Sequence, residues 1–356
     1  MVSLIQNRSN NDEIDILKVN ELRKIIDDIK MRNIDVCIMA LDSKNKMKQI
    51  VILDSGIFTR EESVMIYDHE AHYKWTQAYP HGYAKNDIYS PYGYNEVRQS
   101  MTGIGTTISE VVGDNKPLMI VPSIRLSNIP YNIFLINEQI KGGERPIAVT
   151  PSLSWLCSSL NNKREKTKRN ISWIPQSDDE HDALAILLEE MTPILSEHNI
   201  EIKQNATYIN ESGNYDIAII GAHGSIYKEN EFLRVVSNGR EINLSTRDFA
   251  LRYKNSKLVI LFMCSGGRLD ENPFSASTIG LPHILLHLGC RAVIASPWPI
   301  QPSIAQYWLT EFLKQYKSGT TVIEANFYAN KSVASEMNHP MAALAMHLYG
   351  DPFTHF

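Results

Sequence analysis

The sequence predicts an α/β protein built on a mostly parallel sheet, and three observations carry that expectation. Leu258 to Met263 is an unbroken apolar run. It lacks the polar alternation of a half-exposed strand and reads as a strand covered on both faces, as in the middle of a parallel sheet. Ile217 to Ile220 repeats the pattern. Around these runs strand-like and helix-like stretches alternate, the order that lays helices on both faces of parallel strands. At 356 residues the chain has room for two lobes, or for one large α/β unit with an added layer.

Taken in order, Glu13 to Arg32 reads as an amphipathic helix, because Leu22, Ile25, Ile26 and Ile29 recur at helical spacing among charges. Val36–Leu41 and Gln49–Leu53 flank a polar Ser-Lys-Asn-Lys-Met-Lys stretch and predict an antiparallel hairpin, closed by Asp54-Ser55-Gly56. Between Tyr67 and Tyr94 stand seven tyrosines with Trp75, His69, His72 and His81. Such density suits a partner-binding face. Pro80, Gly82, Pro91 and Gly93 break regular structure there and favour a loop-rich packing layer instead. His69 and His72 lack the i, i+4 spacing of a helical zinc pair, so no metal site is expected.

From Lys116 two further strand–turn–helix units follow, in KPLMIVPSIRLSNIPYNIFLIN and PIAVTPSLSWLC. Asn161–Asn170 is basic, polar and free of apolar residues, which marks an exposed connection between halves. No aromatic residues interleave its charges, so it makes a poor nucleic-acid patch. Ser177 and Glu180 have capping-box spacing ahead of Leu184, Leu187, Leu188 and Met191 at helical spacing. A helix over Ile279–Leu288, a strand over Arg291–Ser296 and a helix over Ser303–Tyr316 complete the pattern.

The chemistry concentrates at two strand ends. Cys264 is the first residue after its apolar run, and His223 follows Ile217–Ile220 and the turn at Gly221. Ligands of open parallel sheets bind beyond the carboxyl ends of the strands. If the two strands are neighbours, ~4.8 Å apart, imidazole and thiol flank one small space, the arrangement a cysteine nucleophile and its base require. A free cysteine is more often a small buried hydrophobe, and a lone histidine more often structural. The repeated syntax, strand then His-Gly and strand then Cys-Ser-Gly, favours chemistry. Asp216 precedes its strand and reads as a turn residue, and no third orienting carboxylate is evident. Asp270 or Glu271 is a candidate to line a pocket for a basic substrate side chain, against the commoner reading of solvated loop charges. Trp298, at a strand's carboxyl end, is a candidate for the same cleft, against a role in closing the core.

Composition excludes several classes. The formal charge of −5 gives no general electrostatic reason to bind nucleic acid or an anionic membrane. Cys37, Cys157, Cys264 and Cys290 are widely spaced with no CxxC, which argues against a disulfide scaffold or a thiolate metal site and for a reducing cytoplasm. No signal peptide or membrane-spanning run is evident. Neither GxGxxG nor a P-loop occurs, so a nucleotide-binding role is disfavoured and no cofactor is expected.

The ordered series KPLMIVPSIRLSNIPYNIF, PIAVTPSLSWL, IIGAHG, LVILFMCSGG, LGCRAVIASPWPI and LYGDP resembles the CHAT-domain family of caspase-like cysteine proteases. The likeness covers about Lys116 to Pro352 and only loosely the first third. It implies a caspase-like α/β/α sandwich with a mostly parallel sheet, preceded by a degenerate pseudo-protease half. The halves would be residues 1–160 and 171–356, joined by a basic loop at 161–170. It further implies a cysteine endopeptidase with His223 and Cys264 as its dyad, the N–H groups of Gly224 and Cys264 holding the oxyanion, and a protein substrate. Ser265-Gly266-Gly267 departs from the acidic or polar residue and threonine usual after the nucleophile, a difference that bears on substrate preference. Relatives are often fused to tetratricopeptide repeats. No such period occurs here, so an activator or sensor is expected to be another chain. Several relatives act as switched executioners, including in bacterial antiviral systems. The chain is therefore expected to be latent until a partner binds, with Ser265–Ser277 and Ser225–Asn238 as the moving loops. The rival expectation is a catalytically silent scaffold that binds through Tyr67–Tyr94.

Overall fold

The computed structural model describes residues 19–42, 46–62, 112, 116–127, 129–133, 135–136, 139–161, 167–177, 179–180, 182–205, 213–227, 230–237, 240–264, 266–267, 270–271, 278–297, 300–336 and 346–355. Its strands are β1 (Asp35–Leu41), β2 (Met47–Leu53), β3 (Gly56–Glu62), β4 (Leu118–Pro122), β5 (Leu135–Ile136), β6 (Gln139–Ile140), β7 (Ile147–Val149), β8 (Asn170–Trp173), β9 (Glu201–Lys203), β10 (Ile217–Gly221), β11 (His223–Tyr227), β12 (Asn230–Ser237), β13 (Arg240–Ser245), β14 (Leu258–Phe262), β15 (Asp270–Glu271), β16 (Thr278–Ile279), β17 (Ala292–Ala295) and β18 (His347–Gly350). Its helices are α1 (Val19–Met31), α2 (Leu153–Asn161), α3 (Ala183–Glu197), α4 (Thr246–Arg252), α5 (Leu281–His287), α6 (Pro302–Lys317) and α7 (Val322–Glu336). Among the described residues no helix is long and apolar enough to cross a membrane.

Among the described residues one eleven-stranded sheet runs in the order β3-β2-β1-β4-β7-β18-β17-β14-β10-β8-β9. Strands β1, β4, β7 and β18 are mutually parallel. So are β17, β14, β10, β8 and β9. The two blocks meet antiparallel at β17 and β18, and β1-β2-β3 is an antiparallel edge. The absence of alternation in the apolar runs has a direct cause. Ile217 and Ile219 of β10 and Leu258, Ile260 and Phe262 of β14 belong to one core cluster with Leu187, Met191, Trp308 and Phe312. Ala218, Ile220, Val259 and Leu261 belong to the opposite cluster with Phe249, Leu281 and Leu285. Helices α3 and α6 thus cover one face and α4 and α5 the other, and each buried aliphatic side chain contributes roughly 1.5–3 kcal/mol.

Several sequence expectations need correction. Glu180 does not cap a helix with Ser177: α3 begins at Ala183, and Asp182 is its N-cap, accepting from the Leu184 N–H. Competing acidic residues, all plausible first-turn groups, made the boundary ambiguous. Thr278–Ile279 is strand and the following helix starts at Leu281. Ser225–Asn238 is not a loop, because its described residues form strands of the β11-β12-β13 meander. The segment Ser265–Ser277 likewise contains β15, paired with β16. Helix α7 and strand β18 were not foreseen. The Tyr67–Tyr94 stretch lies outside the described residues.

Strand β18 is fixed at both ends. The Met346 carbonyl before it accepts from the side-chain amides of Asn132, Asn326 and Asn330 at 3.2, 3.2 and 2.9 Å. After it, the fully buried Asp351 carboxylate accepts from the Arg291 guanidinium at 2.8 Å and from the Phe353 N–H. Removing one partner of a buried pair strands the other's charge. Arg291→Met is expected to lose on the order of 3–5 kcal/mol of unfolding free energy in urea titration. The exposed Lys314–Glu311 pair is the control, and Lys314→Met should lose less than about 1 kcal/mol. Equal small losses would refute the anchoring role of the Arg291–Asp351 pair.

Candidate active site

Register brings the ends of β10 and β14 level. Strands β10 and β14 pair from Ile217↔Leu258 to Gly221↔Phe262, and the Ala222 N–H extends the ladder to the Phe262 carbonyl at 3.3 Å. His223 and Cys264 each follow the last residue of their strand by the same interval. Both therefore lie just beyond the carboxyl ends of two adjacent strands, whose axes are about 4.8 Å apart. Both are partly exposed. His223 also opens β11, so the chain leaves the main sheet at that residue and turns into the meander.

The backbones beyond the strand ends are in contact. A Cβ on Gly224 would overlap the Cys264 carbonyl oxygen and lie 2.8 Å from its carbon and 3.1 Å from the Cys264 nitrogen. Glycine is therefore required there for close approach. The turn after Cys264 is held from three sides: Gly266 N–H donates to the Met263 carbonyl at 3.2 Å, and Gly267 N–H to the Ser296 carbonyl at 2.7 Å. The Tyr349 hydroxyl donates to the Gly267 carbonyl at 2.7 Å. Burial pushes the Tyr349 phenol far above its ordinary value, so it remains a donor.

The orienting carboxylate that sequence reasoning missed is Asp182. The His223 Nε2 atom lies 2.7 Å from Asp182 Oδ1. The same oxygen accepts from the Leu184 N–H at 2.9 Å, and Oδ2 accepts from the Ser177 hydroxyl at 2.8 Å. Burial alone would raise the Asp182 carboxyl; the Leu184 N–H, the Ser177 hydroxyl and the imidazole outweigh it and hold the group below its ordinary value. Proximity to His223 follows from packing. A Cβ on Gly221 would come within 2.7 Å of Leu187 Cδ2, so the absence of a side chain there lets α3 approach the end of β10. A carboxylate-bearing turn after β8, the strand adjacent to β10, was the available signal.

The remaining candidates divide. Asp216 sits at the opposite end of β10, on the order of 20 Å from the histidine along the strand, and its carboxylate accepts from the N–H groups of Thr167 and Lys168 at 3.2 and 2.7 Å. It is a turn residue. Asp270 and Glu271 form β15 on the segment after Cys264. Trp298 lies outside the described residues.

A family model described as the CHAT domain matches residues 102–346, more than half of the 356-residue chain. Among solved structures, two of the Saccharomyces cerevisiae separase–securin complex align with TM-scores of 0.54 and 0.55 at 9% and 10% identity. The alignments cover 98% and 93% of this chain but only 32% and 31% of the separase chain. The chain thus spans about a third of the length of the separase it matches, and the likeness at this identity is one of fold, caspase-like in class. A search of curated proteins finds no match.

Gly224→Ala is expected to cost about 1–3 kcal/mol through overpacking and to change the rate at which iodoacetamide alkylates Cys264. Wild-type melting together with a wild-type alkylation rate would show that the two backbones do not touch in solution.

Proposed function

The chain belongs to the CHAT domain family, and from that premise we propose that it is a cysteine endopeptidase acting through Cys264 and His223. The observation that supports this reading is the β10–β14 register, with His223 and Cys264 each two residues past the last residue of its strand. The Cys264 thiol gives its proton to His223 and the thiolate attacks the scissile carbonyl carbon. On collapse of the tetrahedral intermediate the C–N bond breaks, His223 protonates the leaving amine, and a thioester remains for water to hydrolyse. The close approach of Gly224 to Cys264 supports their two N–H groups as oxyanion donors, and one such donor is typically worth ~10²–10³ in rate. Asp270, on the segment that follows the nucleophile, is the proposed contact for a basic substrate side chain. Residues 1–160 are read as the degenerate half, 161–170 as the connecting loop and 171–356 as the catalytic half.

The enzyme is read as latent until a protein partner binds, with no cofactor or metal and no direct role for nucleic acid or a membrane. The reducing cytoplasm inferred from cysteine usage makes control necessary, since an unrestrained peptidase would damage its own cell. Separase in the two matching structures is in complex with securin, which supports a protein partner for this fold. A place in a bacterial antiviral system rests on the family resemblance.

The test offers a peptide library and a peptidyl cysteine electrophile to the chain alone and to the chain with the proteins encoded beside its gene. Partner-dependent cleavage is expected, with Cys264→Ala and His223→Ala each reducing it by about 10³-fold or more and leaving melting unchanged. Full activity of the isolated chain would refute latency. Undiminished cleavage by either variant would refute the dyad, and a chain inert under every condition yet binding a partner would favour the scaffold.

A further inference from the structure

We propose that Asp182 and Ser177 form a positioning relay for His223, in which Asp182 holds the imidazole through Nε2 and Ser177 holds Asp182; the proposal rests on the peptidase reading above. A carboxylate only accepts, so the nitrogen facing Asp182 Oδ1 at 2.7 Å carries the proton when the ring is neutral. That leaves Nδ1 as the base that takes the Cys264 proton and later delivers it to the leaving amine. Asp182 stays ionised throughout and stabilises the imidazolium between those two transfers.

Asp182 is unusually well fixed for this task. Its side chain is 14% exposed. Its own N–H donates to the Asp179 carbonyl at 3.0 Å, and its carbonyl accepts from the Ile186 N–H at 3.2 Å. The two carboxylate oxygens are further held by Leu184 and Ser177. Ser177 Oγ in turn accepts from the Asp179 N–H at 3.3 Å, so Ser177, Asp179 and Asp182 are tied to one another. Positioning the imidazole thus uses the carboxylate that also starts the helix.

Among the described residues, the charged and titratable groups nearest His223 in the chain and the strand register are Asp182, Cys264, the exposed Asp179 and Glu180, and Arg234, which is opposite His223 in the β11–β12 register. Of these, Asp182 is the one hydrogen-bonded to the ring.

Asp182→Asn separates the relay from the cap, because Asn caps a helix as well as Asp does. The variant should melt like wild type. With the carboxylate gone the imidazolium is less favoured and the thiolate it supports appears later, so the pH midpoint for alkylation of Cys264 by iodoacetamide should rise by about one unit. Mass spectrometry of the Cys264 peptide isolates the signal from Cys157. In the partner-activated enzyme kcat should fall at least ~10-fold with KM little changed, since the loss falls on proton transfer. Ser177→Ala should shift the midpoint in the same direction by less. Nitrogen NMR of wild-type His223 provides a readout that needs no variant: the neutral ring should be the Nε2–H tautomer.

An Nδ1–H tautomer in the wild type, or an unmoved midpoint in a folded Asp182→Asn chain, overturns the relay. Alkylation needs no peptide substrate. A chain that cleaves nothing yet shows the midpoint shift keeps the relay and sinks the peptidase reading, and a working peptidase indifferent to Asp182→Asn does the reverse.

Discussion

The sheet is continuous because β18 fills the position between β7 and β17. It pairs parallel with the first and antiparallel with the second, and without it the two parallel blocks would face each other with unpaired edges. Its four residues are buried. The strand's place depends on polar groups more than on its own apolar content: three asparagine amides on the Met346 carbonyl, the Thr150 hydroxyl on the Gly350 carbonyl and the Arg291–Asp351 pair. Buried polar groups of this kind are costly when unmet, so together they select one register for a short strand that apolar pattern alone would specify weakly. Pairing Leu348 with Ala148 also joins residues far apart in sequence, the kind of contact that forms late in folding.

That same strand reaches the candidate site. Tyr349 carries its hydroxyl to the Gly267 carbonyl in the turn after Cys264, and Gly267 is tied to Ser296 at the end of β17. The site therefore stands on four neighbouring strands: His223 follows β10, Cys264 follows β14, and β17 with β18 holds the turn behind Cys264. Strand ends are rigid because the strands behind them are covered on both faces, which is how a packed core fixes groups at a solvent edge.

Much of this was legible in the sequence, for a physical reason. A strand buried on both faces cannot be disguised, so Ile217–Ile220 and Leu258–Met263 gave the sheet centre and the two residues beyond it. Short strands rich in other roles were opaque. His-Leu-Tyr-Gly mixes a histidine, an aromatic donor and a glycine, and nothing in its pattern distinguishes it from a turn. The meander was overlooked although Asn238-Gly239 lies between alternating stretches, a strong hairpin signal. Asp182 was opaque for a different cause. Asp178, Asp179, Glu180 and Asp182 stand within five positions of the sequence, and the approach of Leu187 to Gly221, which the sequence does not announce, goes with the choice of Asp182.

The double duty of Asp182 bears on the proposed latency. Helix α3 packs on β10 through Leu187 and is held at its far end, where Lys317 of α6 donates to the His198 carbonyl at 2.6 Å. A displacement of α3 along its axis would move the cap, and with it the group that orients His223, while leaving the strands and the Cys264 turn in place. The cost of an inactive state can then be small. A population of competent molecules near one per cent corresponds to about 3 kcal/mol, and a partner need supply only a matching difference in affinity for the two positions. The proposed latency therefore does not require the sheet to open or the segments after His223 and Cys264 to refold.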